Sequence, residues 1–509
     1  MTNLLSTRNN LGCIALCAVL LTAFGAQADP LARPGDLQLR HDIQLLADEG
    51  VINIPVTMWP IPWDDIDAAL DAVSEAGFSS EAAQAISRLR LRARYELGDG
   101  GLRPRAWASV AAEPRVIRNF EDTPREEAQA GLEFGWAGRR FIGNVSATYA
   151  HDPVDGDEFR PDDTYLGMYL GNWIVSAGWQ QRWWGPGNEG SIILSTNARP
   201  TPGIALQRNL STPFKTKWLS WLGPWSLTTF MQQLDDERVV NDGLMWGFRF
   251  SFRPLRSLEI SLSRTAQWCG DDRPCNGGTF WDLLTGNDNR GLNVGFEDEP
   301  GDQLGGFDVR WSLPKQIPVA LYLQWIGEDR RTEGGPMIFG SFSRQFGAEF
   351  WGTMGELAHR THIEVSEIGC RKGEFGFAEF IPDCGYEHSI YETGYRYEGR
   401  SMGHGIDGDS RSYSLGSTLV EPAGHTWNVT VRFMEINFEN DPTKPIQFHS
   451  LTATPQDRAD VQVSHVRETR FGRFHMGLGY SYLDDEATGV DTSDVTAFLQ
   501  WSTRITELE

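Results

Sequence analysis

The densest group of side chains that could bind a ligand lies in the segment 183–191, which reads Trp-Trp-Gly-Pro-Gly-Asn-Glu-Gly-Ser and leads on to Arg199 and Arg208. Trp183 and Trp184 offer flat aromatic faces for stacking, and arginine pairs with carboxylates through two parallel hydrogen bonds. A structural interpretation competes with ligand binding. Two tryptophans can mark a membrane interface, Gly-Pro-Gly can simply form a turn, and the arginines can form ion pairs inside the protein.

Asp288, Asn289 and Arg290 form a second candidate group, because they place a carboxylate, an amide and a guanidinium group side by side in the sequence. These groups can hydrogen-bond hydroxyls and carboxylates. Arg310 also carries a guanidinium group, but it alternates with apolar residues as strand residues do. For Arg310 we therefore favour an ion pair in the protein interior.

Catalytic and metal-binding patterns are weaker. The segment 405–409, Gly-Ile-Asp-Gly-Asp, lacks the third carboxylate and the distant glutamate of a calcium-binding EF-hand. His359 and His362 follow the pattern His-x-x-His, which differs from the H-E-x-x-H zinc motif, and the residues after His362 read as a strand. No glycine-rich phosphate loop precedes a predicted helix. We therefore expect no enzyme, no cofactor and no metal site.

Length and charge narrow the class of protein. The chain has 509 residues, with 69 Asp and Glu against 45 Lys and Arg, and a formal net charge of -24. This length allows two or three soluble domains or one large membrane barrel. Nucleic-acid binding needs a basic surface, so the charge balance predicts that nucleic acid is not a partner.

The N-terminus has the pattern of a secretory signal peptide. Arg8 forms a short basic region, residues 11–24 are apolar, and residues 26–28 read Ala-Gln-Ala, an A-x-A cleavage site. We predict a signal peptide over residues 1–28 and a mature chain that starts at Asp29. A membrane anchor is disfavoured because the apolar run is shorter than the roughly 20 residues of a spanning helix.

Four cysteines follow the signal peptide: Cys269, Cys275, Cys370 and Cys384. An even number in an exported chain favours disulfides, and three pairings are possible. We favour the two local pairs, Cys269–Cys275 and Cys370–Cys384, because both lie among Gly, Pro and Asp residues that are typical of loops. A zinc site is the rival interpretation, but the sequence has no C-x-x-C and no regularly spaced histidine partner.

The mature chain begins with a helical pattern. Asp36, Asp64 and the pair Ser79-Ser80 can each cap a short amphipathic helix, and apolar residues follow at spacings of three and four. These apolar stripes are typical of residues that pack in a core. We predict a small helical bundle over residues 29–100.

From about residue 104 the period changes to two. Apolar residues alternate with small or polar ones in stretches such as 141–149, 427–433 and 474–482. A soluble β-sandwich also alternates, but about 400 residues without a second domain boundary would be unusual. In lipid, only closure into a barrel gives every backbone N–H and C=O group of such strands a hydrogen-bond partner. At roughly 22 residues per strand and loop, residues 101–509 predict an all-β transmembrane barrel of about 18 antiparallel strands.

Ordered segments along essentially the whole mature chain resemble the Wzi family of capsule-assembly outer-membrane proteins. Besides 183–200, the segments that carry the resemblance are 39–48, 286–290, 299–304, 324–329 and 394–409. Asn188 departs from the pattern, since we expect a larger residue there in closer relatives. The resemblance implies a barrel of about 18 strands, a periplasmic helical bundle near its inner mouth, and a lectin that holds capsular polysaccharide at the cell surface.

On this resemblance, aromatic faces would stack on sugar rings, amides and carboxylates would bind hydroxyls, and arginine would bind uronates. The expected partners are capsular polysaccharide or exopolysaccharide and the lipid and lipopolysaccharide of the outer membrane, and we expect a monomer. The expected polysaccharide-binding residues are Trp183, Trp184, Arg199, Asp288, Asn289 and Arg290.

A porin for sugars or small anions is the alternative function. The many arginines and carboxylates could line an open lumen, whereas a helical plug and paired lumen charges would close it. An outer-membrane hydrolase or acyltransferase has little support in the sequence.

Overall fold

The computed structural model describes residues 29–73, 77–98, 103–285, 301–313, 317–330, 339–371, 379–438, 449–485 and 488–504. The predicted signal peptide over residues 1–28 lies outside the described residues. Three helices precede residue 98, and the long strands follow residue 103. The assignment of residues 29–100 to the periplasm stays a prediction.

The described chain begins with three helices, α1 (Leu37–Asp48), α2 (Trp63–Asp71) and α3 (Ser80–Leu97). Two of the predicted caps are confirmed. The side chain of Asp36 accepts a hydrogen bond from the backbone N–H of Leu39, and that of Ser79 accepts one from Ala82. Each cap satisfies one of the free N–H groups that the first turn of a helix leaves without a partner.

The predicted cap of the second helix is wrong. α2 begins at Trp63, with Pro62 at the cap position and no side-chain cap, so Asp64 lies inside the first turn. Asp64 and Asp65 there interact favourably with the positive end of the helix dipole. The backbone N–H of Trp63 instead donates to the carbonyl oxygen of Pro30 at 2.9 Å, which satisfies one of the free groups of the first turn.

In the described part of the chain, eighteen antiparallel strands close into a barrel. The strand β4 (Phe159–Arg160 and Tyr165–Leu170) is interrupted, and both of its segments pair with β3 (Phe141–His151). The first strand, β1 (Arg103–Ala112), pairs with the last, β18 (Val490–Arg504), which places Ala112 opposite Ala497 and leaves the sheet without a free edge. The strands are β1 (Arg103–Ala112), β2 (Ala128–Ala137), β3 (Phe141–His151), β4 (Phe159–Arg160 and Tyr165–Leu170), β5 (Trp173–Trp179), β6 (Pro202–Arg208), β7 (Trp225–Gln233), β8 (Leu244–Leu255), β9 (Leu258–Trp268), β10 (Gly301–Ser312), β11 (Val319–Arg330), β12 (Phe339–Met354), β13 (Leu357–Ile368), β14 (Ser410–Val420), β15 (Thr426–Ile436), β16 (Gln456–Thr469), β17 (Gly472–Asp485) and β18 (Val490–Arg504).

The two ends of the barrel differ in the length of their connections. One end, called here the short-turn end, has the turns 138–140, 171–172, 256–257, 355–356 and 470–471. The other, the long-loop end, has the loops 113–127, 180–201, 269–300 and 369–409. A helix, α4 (Gly277–Thr285), lies in the third of these loops. Outer-membrane barrels have short periplasmic turns and long extracellular loops, so the long-loop end faces the cell exterior.

The strands separate lipid-facing from lumen-facing side chains. On β15, Trp427, Val429 and Phe433 are exposed, whereas Asn428 and Arg432 between them are buried. An apolar outer face and a polar inner face are the pattern of an outer-membrane barrel. The predicted all-β transmembrane barrel is therefore confirmed.

The helices share one apolar core with the barrel. Ile43 of α1, Ile66 of α2 and Leu89 of α3 are buried in the same cluster as Trp183 and Trp351 of β12. The helices therefore fill the short-turn end of the barrel and do not form a separate layer. Among the described residues, no helix is long and apolar enough to cross a membrane.

A charge on the lipid-facing surface should destabilise the barrel according to its depth. Leu478, in the middle of β17, is 64% exposed, and Leu478→Arg should lower the free energy of unfolding by about 2–4 kcal/mol. Val490→Arg, at the long-loop end of β18, should lower it by about 0–1 kcal/mol because the membrane–water interface is near. Urea titration in phosphatidylcholine vesicles measures both values. Equal losses at the two positions would contradict this placement of the apolar belt.

Candidate functional site

Two segments enter the barrel and meet inside it. The first luminal segment, 48–62, connects α1 to α2, and the second luminal segment, 180–201, connects β5 to β6. Met58–Trp59 pairs antiparallel with Trp183–Trp184. The two segments thus satisfy backbone polar groups of one another in the lumen.

Trp183 and Trp184 are completely buried at this pairing. The ring of Trp183 packs edge-on against Phe120, and the ring of Trp184 packs at a tilt against Phe230, with centroids 5.2 Å apart in both pairs. In this conformation, protein covers the ring faces that the sequence assigned to sugars. Polysaccharide binding by these two residues stays a prediction.

Buried ion pairs fasten the first luminal segment to the barrel wall. Arg310 donates to both oxygens of Asp48, and Arg360 donates to its Oδ2 at 2.9 Å. The same two arginines donate to Glu349 at 2.5 and 3.0 Å. Burial alone would raise the pKa of Asp48, but the two guanidinium groups outweigh it and hold that pKa below its usual value. Arg310 therefore forms the interior ion pair that the sequence favoured.

The second luminal segment is fastened by side chains of β13 and β15. Asn188 donates its backbone N–H to Glu364 at 2.8 Å. Glu189 pairs with Arg432 at 2.7 Å and hydrogen-bonds His362 at 3.0 Å. Burial would raise the pKa of Glu189, but Arg432 and His362 lower it to about 2. His362, considered above as a metal ligand, instead helps to hold this segment.

Sequence reasoning missed the contacts of Val56 and Thr57. Their backbone N–H groups donate to the carboxylate of Glu259 at 2.9 and 3.0 Å, across 203 and 202 residues of sequence. Arg249 donates to the carbonyl oxygen of Thr57 at 3.2 Å and pairs with Asp308 at 2.6 Å. The sequence does show that Glu259 is a charged residue on a strand. It does not show that Glu259 contacts residues 56 and 57, because periodicity carries no information about contacts so distant in sequence.

Arg199 lies in an acidic cluster at the long-loop end. Its guanidinium group pairs with Asp155 and Asp157 at 2.9 Å and with Asp162 at 3.1 Å. The side chain of Asp157 is 55% exposed, so this cluster reaches the protein surface. Asp155 and Asp157 belong to the connection between β3 and β4, and Asp162 lies in the interruption of β4. Arg199 therefore ties that connection to the second luminal segment.

The other predicted residues are dispersed. Arg208 donates to the carbonyl oxygens of Leu210 and Thr212 at 2.9 Å and lies 3.4 Å from the ring centre of Trp225. It also donates to the hydroxyl of Thr212 at 3.0 Å, so backbone, hydroxyl and aromatic contacts replace the ion pair that the sequence allowed. The second candidate group lies outside the described residues: Asp288, Asn289 and Arg290.

Both favoured disulfides are present. Cys269–Cys275 and Cys370–Cys384 close loops of six and 14 residues' separation at the long-loop end. The first precedes α4, and the second lies in the loop after β13. These bonds restrict two of the longest loops of the barrel.

Two short glycine patterns match catalytic or nucleotide-binding motifs in letters only. Residues 185–190 match G-x-G-x-x-G and residues 399–403 match G-x-S-x-G, but both motifs require a following helix, and neither segment leads into one. The Oγ of Ser401 instead accepts a hydrogen bond from the backbone N–H of Gly403 at 3.2 Å. Among the described residues, no group of three or more His, Cys, Asp or Glu is arranged to hold a metal ion.

Residues 103–482, well over half of the chain, match the family model for capsule assembly protein Wzi. The chain belongs to this family. The family is defined by capsule assembly and does not correspond to an enzyme class. The resemblance inferred from the sequence is thereby confirmed.

Two proteins that are similar to this chain agree with the family assignment. An uncharacterized 55.8 kDa protein in the cps region of Klebsiella pneumoniae is 33% identical over 323 residues, an alignment that spans only 62% of each chain. The solved structure of Wzi from Escherichia coli is 24% identical with a TM-score of 0.79, over 93% of this chain and 99% of that one. That protein is described as an outer-membrane protein involved in group 1 capsule assembly and as a carbohydrate-binding β-barrel. The two chains share one fold.

Removing one member of the luminal ion-pair network should destabilise the protein. Asp48→Asn leaves Arg310 and Arg360 with a single carboxylate between them, and an uncompensated buried charge costs about 3–5 kcal/mol. We expect a loss of that size in the free energy of unfolding from urea titration. Asp71→Asn, on the exposed face of α2, is the matched control and should change it by less than about 0.5 kcal/mol. Equal values for the two variants would show that the network does not hold the helices in place.

Proposed function

We propose that this protein is a non-enzymatic outer-membrane lectin that anchors or organises capsular polysaccharide or exopolysaccharide at the cell surface. The match to the capsule-assembly family carries the proposal. The likeness in fold to a barrel described as carbohydrate-binding supports it. A lectin needs no catalytic group, and the two glycine patterns lack the strand–turn–helix context of enzyme sites.

We place the polysaccharide at the long-loop end, which faces the cell exterior. There the exposed carboxylate of Asp157 is an acceptor for sugar hydroxyls, and Arg199, whose side chain is 8% exposed and paired with three carboxylates, would bind a uronate in exchange for one of them. Trp183 and Trp184, buried in the lumen, would contribute to binding indirectly by holding the second luminal segment in place. Asp288, Asn289 and Arg290 are further proposed contacts, on the basis of their residue types: a carboxylate, an amide and a guanidinium group.

Changing Arg199 tests the proposed surface. Arg199→Gln removes the cation shared by three carboxylates and should weaken binding of purified polysaccharide about tenfold or more, since charge-assisted hydrogen bonds are the strong ones. Surface plasmon resonance on the protein in lipid nanodiscs measures this affinity. Arg140→Gln, on an exposed turn at the short-turn end, should leave it unchanged. The same affinity for Arg199→Gln as for the unmodified protein would remove Arg199 from the site.

The alternative, a porin for sugars or small anions, requires an open lumen. The two luminal segments and the ion pairs of Asp48 and Glu189 occupy the lumen instead. We therefore expect planar-bilayer recordings to show no large, stable channels, and Asp48→Asn to raise the frequency of brief openings. Large and stable conductance from the unmodified protein would favour the porin.

The remaining partners follow from the outer surface. At the short-turn end, Trp218 and Trp221 are 87% and 61% exposed beside Lys215 and Lys217. Aromatic rings sit at the lipid headgroups and lysines attract anionic lipids, so we propose contact with phospholipid here and with lipopolysaccharide at the other end of the belt. One chain closes the barrel by itself, which supports a monomer.

A further inference from the structure

A cavity of about 740 Å³ lies between the helices and one side of the barrel wall. Its mouth is at the short-turn end, beside the exposed Leu91 of α3, and it extends inward to Arg125 and Gln181. Ligand cavities commonly measure about 300–1,000 Å³. Asp122, which lines the cavity, keeps a side chain that is 55% exposed. The cavity is therefore open to solvent well inside the barrel.

The deep part of this cavity has a row of uncharged polar groups. Ser109 of β1 lies opposite Gln500 of β18 on one side and Gln129 of β2 on the other, and all three line the cavity. Among the described residues, neither the Oγ of Ser109 nor the Oε1 of Gln500 has a hydrogen-bond partner, although Ser109 is only 4% exposed. Because buried polar groups are normally hydrogen-bonded, these two atoms are suited to bind a polar ligand.

An aromatic ring lies one row nearer the mouth. Trp107 of β1 is opposite Gly131 of β2, and a Cβ at Gly131 would lie 2.5 Å from the indole Nε1. Only glycine at this position lets the ring lie directly on the backbone of β2. Trp107 also lines the cavity, about 7 Å along the strand from Ser109. A flat ring beside a hydroxyl and an amide matches the apolar face and the hydroxyl rim of a sugar.

The charged groups around the cavity are largely engaged with one another. Arg33 pairs with Asp29 at 2.6 Å and with Glu133 at 3.1 Å, and Arg473 pairs with Asp36 at 2.9 Å. A strongly anionic ligand would have to displace these carboxylates. An uncharged polyhydroxylated ligand can instead use the neutral groups without breaking an ion pair.

We propose that this cavity binds a short uncharged stretch of polysaccharide, with one sugar ring stacked on Trp107 and its hydroxyls hydrogen-bonded to Ser109 and Gln500. The inference rests on the proposed lectin function and adds a second site, which opens toward the periplasm. The glycan enters this site from the short-turn end, and the inner end of the cavity reaches Asp162, one of the carboxylates paired with Arg199.

Calorimetry on the full chain in detergent tests the site. The probe is a hexasaccharide fraction from partial hydrolysis of the exopolysaccharide of the bacterium that encodes the protein. We expect one hexasaccharide per barrel, and about tenfold weaker binding for Trp107→Ala. The double variant Ser109→Ala and Gln500→Leu should also bind more weakly. Trp311→Ala, which removes a tryptophan from the lipid-facing surface, is the matched control and should bind as the unmodified protein does.

A second variant tests the position of the Trp107 ring without removing the ring. Gly131→Ala keeps Trp107 but displaces its ring, and it should weaken binding as Trp107→Ala does. No binding of the hexasaccharide, or unchanged affinity in these variants, overturns the proposal. Binding of intact polysaccharide to the protein in nanodiscs is measured in parallel. If the polymer binds and the hexasaccharide does not, only the cavity site is refuted; if neither binds, the lectin function is refuted as well.

Discussion

Charge buried inside the barrel must be neutralised, and most of the architecture depends on this constraint. A carboxylate or guanidinium group taken out of water loses several kcal/mol unless an opposite charge meets it. Asp48 reaches the lumen at the end of α1, where Arg310 and Arg360 of the wall surround it. Those arginines in turn require the acidic residue. The barrel wall and the helical region therefore depend on one another for stability and form one unit.

The same constraint explains how the luminal segments are held inside the barrel. The second luminal segment brings Glu189 to Arg432 and the backbone of Asn188 to Glu364. Both luminal segments use wall carboxylates and arginines as hydrogen-bond partners for groups that water would otherwise satisfy. Among the described residues, a cavity remains along β1, where the wall carries Trp107 and Ser109. The two proposed sugar-binding regions are therefore the long-loop surface and this cavity, whose mouth is at the short-turn end.

Features set by neighbouring residues were predictable from the sequence. The two-residue period of 427–433 identified the lipid-facing side, Asp36 and Ser79 capped their helices, and the cysteines paired locally. The family followed from ordered motifs. Residue type alone could not show where Trp183 would lie, because an indole suits a sugar, a membrane interface and a packed core equally well. Only the pairing with Trp59, more than a hundred residues away in sequence, decides that it is buried.

The most direct test of the central claim is the distribution of polysaccharide in a deletion strain of the native bacterium. Cell-attached and released glycan are separated by centrifugation and quantified, with and without a plasmid copy of the gene. Attachment to this barrel predicts an unchanged total, a shift of glycan into the medium and restoration by the plasmid. Normal total and normal attachment, together with reduced sugar uptake, would contradict the lectin and support a porin.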